Sequence, residues 1–206
     1  MSRRIPLIAF VVVAADAALI HFWSGSTELL YGFRLLLGVG ALAALVRMGA
    51  SRETLGITFT ADRSDFRRIG ICSLAVLVLY VGLAGLHHLL PDSLGIDFVD
   101  EAGAWRYGWT SLLLAPVAEE ILYRGVVVPA LRESLPTWAV VVSSGLLFYL
   151  LHLSYGKDWR LLHYVPAGMI LAWAFLSTRK LWVPILLHFL GNVLMGIDDI
   201  VRLLGE

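Results

Sequence analysis

Cysteine is nearly absent from this 206-residue chain. Cys72 stands alone in an apolar run, so neither an internal disulfide nor a cysteine metal cluster is available, and the thiol is expected to serve packing. Lysine is almost missing too: Lys157 and Lys180 are the only two, and arginine supplies the other cations. Charged residues make up only 16% of the chain and form no basic tract, which removes nucleic acid as a partner. Internal repeats and low-complexity segments are lacking, as are the signatures of several hydrolases. There is no His-Glu-x-x-His for a zinc protease, no intramembrane Gly-Asp pair, and no Gly-x-Ser-x-Gly. The nearest serine candidate is Ser143-Ser144-Gly145.

Apolar sequence is what the chain has in abundance: 59% of its residues are hydrophobic and the mean hydropathy is +0.80. A bilayer crossing needs about 20 apolar residues. Runs approaching that length occur at Ile5–Trp23, Leu29–Val46, Ile69–Leu90, Tyr107–Leu131, Trp138–Leu153, Leu161–Leu176 and Leu181–Leu204. The expected fold is all-α, a polytopic membrane helix bundle of about seven transmembrane helices (six to eight). It forms one integral membrane domain over residues 1–206, with helices lacking motifs in 1–106 and motif-bearing helices in 107–206. Asp16 interrupts what would otherwise read as a signal-peptide core, so the first run is expected to stay as a span. A short interfacial helix is expected at Asp65–Arg68, leading into the third.

Formal net charge is zero, but the distribution is uneven. With the amino terminus inside, the inner side holds Arg3, Arg4, Arg47, Arg52, Arg63, Arg67, Arg68, Arg132, Arg179 and Lys180, and the outer side only Arg106, Lys157, Arg160 and Arg202. The long outer loop is acidic, with Asp92, Asp97, Asp100 and Glu101. This bias orients the protein with its amino terminus inside. Arginine in place of lysine is typical of a GC-rich prokaryotic genome, which makes a prokaryotic cytoplasmic membrane the expected location.

Charge inside a span is costly, roughly 2.5–3.5 kcal/mol per ionised side chain near a helix centre. Glu119, Glu120 and Arg124 all lie in the fourth run, where residues four apart stack and residues five apart diverge. Arg124 therefore pairs with Glu120, while Glu119 points elsewhere and is expected to be left without a cation of its own. Asp16 and Arg34 are expected to pair across the first two spans. Phe148 sits one turn before His152, so its ring should pack on the imidazole. His188 and Asn192 share one face of the last helix, where two neutral donors suit polarisation of a carbonyl oxygen. His21, His87, His88 and His163 are expected to be structural or interfacial, and Asp198 and Asp199 solvated. Counting at helical rise puts His152 near the outer surface and His188 about 10 Å from the inner one. The two then meet only if Pro116 and Pro184 break their helices or the fifth span tilts.

Glu119-Glu120-Ile-Leu-Tyr-Arg124, Phe148-Tyr-Leu-Leu-His152 and His188-Phe-Leu-Gly-Asn192 fit Glu-Glu-x-x-x-Arg, Phe-x-x-x-His and His-x-x-x-Asn in order on separate apolar helices. The set resembles the CPBP family of intramembrane glutamic endopeptidases, which includes the CAAX prenyl proteases and the Abi proteins linked to bacteriocin self-immunity. The resemblance covers about the last hundred residues. It implies that Glu119 is a general base, that His152 helps bind and activate water, and that His188 and Asn192 form the oxyanion site. Glu120, Arg124 and Phe148 would support them. It implies a membrane-associated protein or peptide as substrate and no cofactor. Zinc held by Glu119, His152 and His188 is the less favoured chemistry, and a non-catalytic immunity or peptide-binding protein is the alternative function.

Overall fold

The computed structural model describes residues 4–89, 110–154 and 162–195. Among these residues the chain is all-helical. Helix α1 spans Arg4–Phe22, α2 Thr27–Arg47 and α3 Arg63–Leu89. Residues 110–132 form α4, followed by α5 (Thr137–Ser154), α6 (Tyr164–Thr178) and α7 (Trp182–Met195). Among the described residues three stretches are long and apolar enough to cross a membrane, Ile5–Phe22, Thr27–Arg47 and Arg63–Leu83; α5, α6 and α7 are shorter apolar helices. The expected outer acidic loop, Arg3, Arg106, Lys157, Arg160, Asp198, Asp199 and Arg202 lie outside the described residues, as do the side chains of His87 and His88.

Local chemistry sets the helix starts. Ser26 caps α2 by accepting from the Leu29 amide. Asp62 and Asp65 cap α3 reciprocally: the Asp62 carboxylate accepts from the Asp65 amide at 3.0 Å, and the Asp65 carboxylate accepts from the Asp62 amide at 2.9 Å. This double cap starts the helix at Arg63, so the separate interfacial helix expected at Asp65–Arg68 is instead the first turn of α3. Pro184 falls in the first turn of α7, where a missing amide costs little, and that helix runs unbroken.

Loop 48–62 ties one end of the bundle together. The Leu181 amide donates to the Gly56 carbonyl at 2.9 Å, and Lys180 donates to both Asp65 and Asp62. Gly56 has φ +70°, and a Cβ there would meet the Phe175 ring at 2.5 Å, so only glycine fits this close approach. The larger apolar core gathers at this end, where Ala9, Leu45, Leu55, Val128, Val140 and Phe175 are all buried. Helices α5 and α6 cross closely because both present glycine: a Cβ on Gly145 would lie 2.6 Å from the Val165 carbonyl oxygen, and one on Gly168 2.7 Å from the Phe148 Cβ.

Candidate active site

Helix α4 carries two prolines inside its length, Pro116 and Pro129, and each removes a donor from the i→i−4 ladder. The helix adjusts by widening into π turns at Thr110–Leu114 and Ile121–Val127, with α turns at Ala115–Glu120 and Val128–Arg132 between and after them. Leu114, Glu120, Ile121, Val127 and Val128 all keep right-handed helical dihedrals, so the four segments are one continuous helix. Its register change brackets the Glu119-Glu120 pair, a common placement for π turns near functional groups.

Glu119 is buried, and it does have a cation. Arg34 Nη1 donates to Glu119 Oε1 at 2.9 Å, and the Tyr31 hydroxyl approaches the same oxygen at 3.4 Å. The expectation that this carboxylate lacks a cation fails because the partner comes from α2, which a reading of one helix cannot show. Arg34 is held in turn by Asp16, through Nε to Oδ1 at 2.7 Å and Nη2 to Oδ2 at 3.1 Å, a bidentate pair of the expected kind. Tyr123 donates to Asp16 Oδ2 at 3.1 Å. The other oxygen of Glu119, Oε2, has no hydrogen-bond partner. One oxygen is thus anchored and the other unpartnered, as is Oε2 of Glu120.

Glu120 points to a different neighbour. Its Oε1 accepts from Arg124 Nη1 at 3.0 Å, as expected one turn along the helix, and from His188 Nδ1 at 2.9 Å. Arg124 Nη2 also donates to the Gly168 carbonyl at 3.1 Å, and its guanidinium lies 5.0 Å over the Phe148 ring. Phe148 is the hub of this side. Its ring centroid lies 4.6 Å from that of His152 and 5.5 Å, edge-on, from that of His188. His152 is further clamped by its Nδ1, which donates to the Phe148 carbonyl at 2.8 Å, and by Tyr164 stacked at 3.6 Å.

The separation expected of His152 and His188 from counted depth is therefore not observed; both rings pack against Phe148 although α7 is unbroken. A carbonyl and a carboxylate only accept, so both Nδ1 atoms carry hydrogen.

Glu119, His152, His188 and Asn192 line one cavity of about 430 Å³. Its walls are otherwise apolar and aromatic: Leu30 and Tyr31 from α2, Val76 and Tyr80 from α3, Ala167 and Leu171 from α6. The four residues expected to be catalytic thus share one space, with Phe148 in its wall and Glu120 and Arg124 behind His188. His163, expected to be structural or interfacial, also lines the cavity. Sequence reasoning missed Tyr31, Tyr123 and Tyr164 and the bond from Arg34 to Glu119. The one available signal was a second buried charge pair, Asp16 and Arg34, at similar depth. Among the described residues no three His, Cys, Asp or Glu side chains converge as a metal site.

Residues 101–194 match the family described as type II CAAX prenyl endopeptidase Rce1-like. The similarity covers just under half of the chain, its carboxyl-terminal helices. The matched segment contains all three motifs and begins after α3, so Asp16 and Arg34 lie outside it. A Bacillus subtilis (strain 168) protein named "Putative membrane peptidase YdiL" is 29% identical over 99 residues, covering 47% of this chain and 39% of that relative. The match thus spans about two fifths of the relative's length. No solved structure matches. Together with this likeness to a membrane peptidase, the three apolar stretches of spanning length mark the chain as an integral membrane protein.

Proposed function

We propose that the protein is an intramembrane glutamic endopeptidase that hydrolyses a peptide bond of a membrane-associated protein or peptide. In this reading all seven helices belong to a membrane bundle with the amino terminus inside, in a prokaryotic cytoplasmic membrane. The observation that carries the reading is the division of labour on Glu119: Oε1 is fixed by Arg34, while the buried Oε2 is unpartnered in a cavity shared with His152, His188 and Asn192.

Water would donate one hydrogen to Glu119 Oε2 and the other to His152 Nε2, which directs an oxygen lone pair at the substrate carbonyl. As the C–O bond forms, Glu119 takes the proton and later delivers it to the leaving amine. The developing oxyanion would be met by the Asn192 amide and by His188. His188 already commits Nδ1–H to Glu120, so it would donate to the oxyanion only with Nε2 protonated as well, as an imidazolium on the carboxylate that Arg124 also contacts. Such a site needs no metal. The apolar walls suit an extended segment threaded between helices.

Purified protein in proteoliposomes, offered membrane-anchored fluorogenic peptides with and without a lipidated carboxyl-terminal tail, is expected to cleave members of the panel at a rate unchanged by exhaustive chelation. Loss of activity to a chelator and its return with zinc would recast Glu119, His152 and His188 as ligands. A folded wild-type protein that binds the peptides without cutting any would favour the immunity or peptide-binding alternative.

A further inference from the structure

The two ends of the bundle differ in chemistry, and the difference bears on which side of the membrane the substrate comes from. One end is the tied end: the end of α2, the start of α3 and the α6–α7 turn meet there through Gly56, Asp62, Asp65, Lys180 and Leu181. Arg47, Arg52, Arg63, Arg67, Arg68, Arg132, Arg179 and Lys180 all lie in the helix ends and loops on that side. Two exposed aromatic side chains, Phe59 and Phe66, sit among these cations.

The cavity belongs to the opposite end. Its wall residues lie at the start of α2 (Thr27), in the second half of α3 (Leu83), late in α5 (His152), at the start of α6 (Tyr164) and late in α7 (Met195). No lysine or arginine occurs among the described residues of the α1–α2 loop, the last two turns of α5 or the first turn of α6. In the sequence that joins the helix ends of this side, residues 90–109 contain Asp92, Asp97, Asp100 and Glu101 against Arg106, residues 155–161 contain Lys157 and Arg160 beside Asp158, and Arg202 follows α7, four cations against the eight of the tied end. Lys and Arg counted in short loops near span ends mark the cytoplasmic face, because cationic segments resist translocation.

From the position of the cavity and the clustering of cations at the other end, we infer that the candidate active site lies in the extracytoplasmic half of the membrane. It would act on the exported, membrane-anchored part of a substrate. The inference deepens the protease reading and rests on it for the word substrate; the sidedness of the cavity stands on geometry and charge alone. It excludes a tail that stays in the cytoplasm and points to one that has crossed the membrane or is anchored on its far side.

Single-cysteine labelling in spheroplasts tests this without any need for turnover. Cys72 is buried in α3, so the wild-type chain serves as the low-background control. Ser24→Cys in the α1–α2 loop and Thr27→Cys at the cavity wall report one end, and Thr60→Cys before α3 reports the other. A membrane-impermeant maleimide is expected to label the first two in intact spheroplasts and Thr60→Cys only after permeabilisation. Labelling of Thr60→Cys in intact spheroplasts, or protection of Ser24→Cys and Thr27→Cys until lysis, would overturn the inference. Either result leaves the protease reading to the peptide assay, so the two fail separately.

Discussion

Arg34 is the residue on which the local account turns. It joins Glu119 to Asp16 in a chain of buried charge, and its fork geometry lets it hold a carboxylate on each side. Hydrogen bonds to charged groups are worth about 1.5–3 kcal/mol, so losing this anchor should misplace Glu119, the base we propose, at a cost of roughly 10–100-fold in rate. Arg34→Gln is expected to lower kcat by that factor with KM nearly unchanged, and Arg34→Lys to recover part of it. Steady-state kinetics on a cleaved peptide, with thermal unfolding in detergent beside it, reads both. Equal losses in kcat and in folded protein would mean that Arg34 only supports the fold.

At the level of elements, the α5–α6 crossing sets the position of Phe148 and hence of both histidines. Gly168 lies under Phe148 and lends its carbonyl to Arg124, so Gly168→Ala pushes on the hub itself. Overpacking of this kind costs about 1–3 kcal/mol. The variant should unfold at lower temperature and lose activity beyond its loss of folded protein, while Gly40→Ala, where a Cβ meets nothing within 4 Å, should be neutral in both.

Much of this level was legible in sequence. Apolar runs gave the seven helices, and the i, i+4 spacing gave the Glu120–Arg124 and Phe148–His152 pairs, because these depend on one helix at a time. The Arg34–Glu119 bond, the Tyr164 stack and the meeting of His152 with His188 depend on how separate helices pack, which periodicity does not encode. Pro116 announced a disturbance in α4, but a kink and a widened turn look alike in sequence.

On the scale of the whole molecule, the charged latch at the basic end holds loop 48–62 to the α6–α7 turn. The Asp62 carboxyl is lowered to about 2, chiefly by the Ser64 hydroxyl and then by the Asp65 amide, with Lys180 adding to it. Lys180 is raised above its ordinary 10.5 by its bond to Asp65. A lowered acid stabilises the fold above its unfolded value of 3.8 and loses that contribution as pH falls toward 2. A raised lysine contributes below 10.5 and loses its part as pH rises through its shifted value. The Ser64 and Asp65 amide contributions persist in Lys180→Ala, so the stability difference between wild type and that variant, followed by thermal unfolding in detergent, should be level from about pH 4 to about pH 10 and shrink chiefly above it, as Lys180 loses its charge. A difference that varies steadily through neutral pH would assign the latch to other groups.

The central claim is that Glu119 Oε2 removes the proton from water, and Glu119→Gln tests it most directly. The amide keeps the size of the side chain and an oxygen for Arg34, but it cannot take up a proton. Purified Glu119→Gln protein is expected to unfold within a few degrees of wild type and to cleave the same membrane-anchored peptide at least about 100-fold more slowly in kcat, the lower range for loss of a positioned base. A folded Glu119→Gln protein that cleaves the peptide within a few-fold of the wild-type rate would contradict the account.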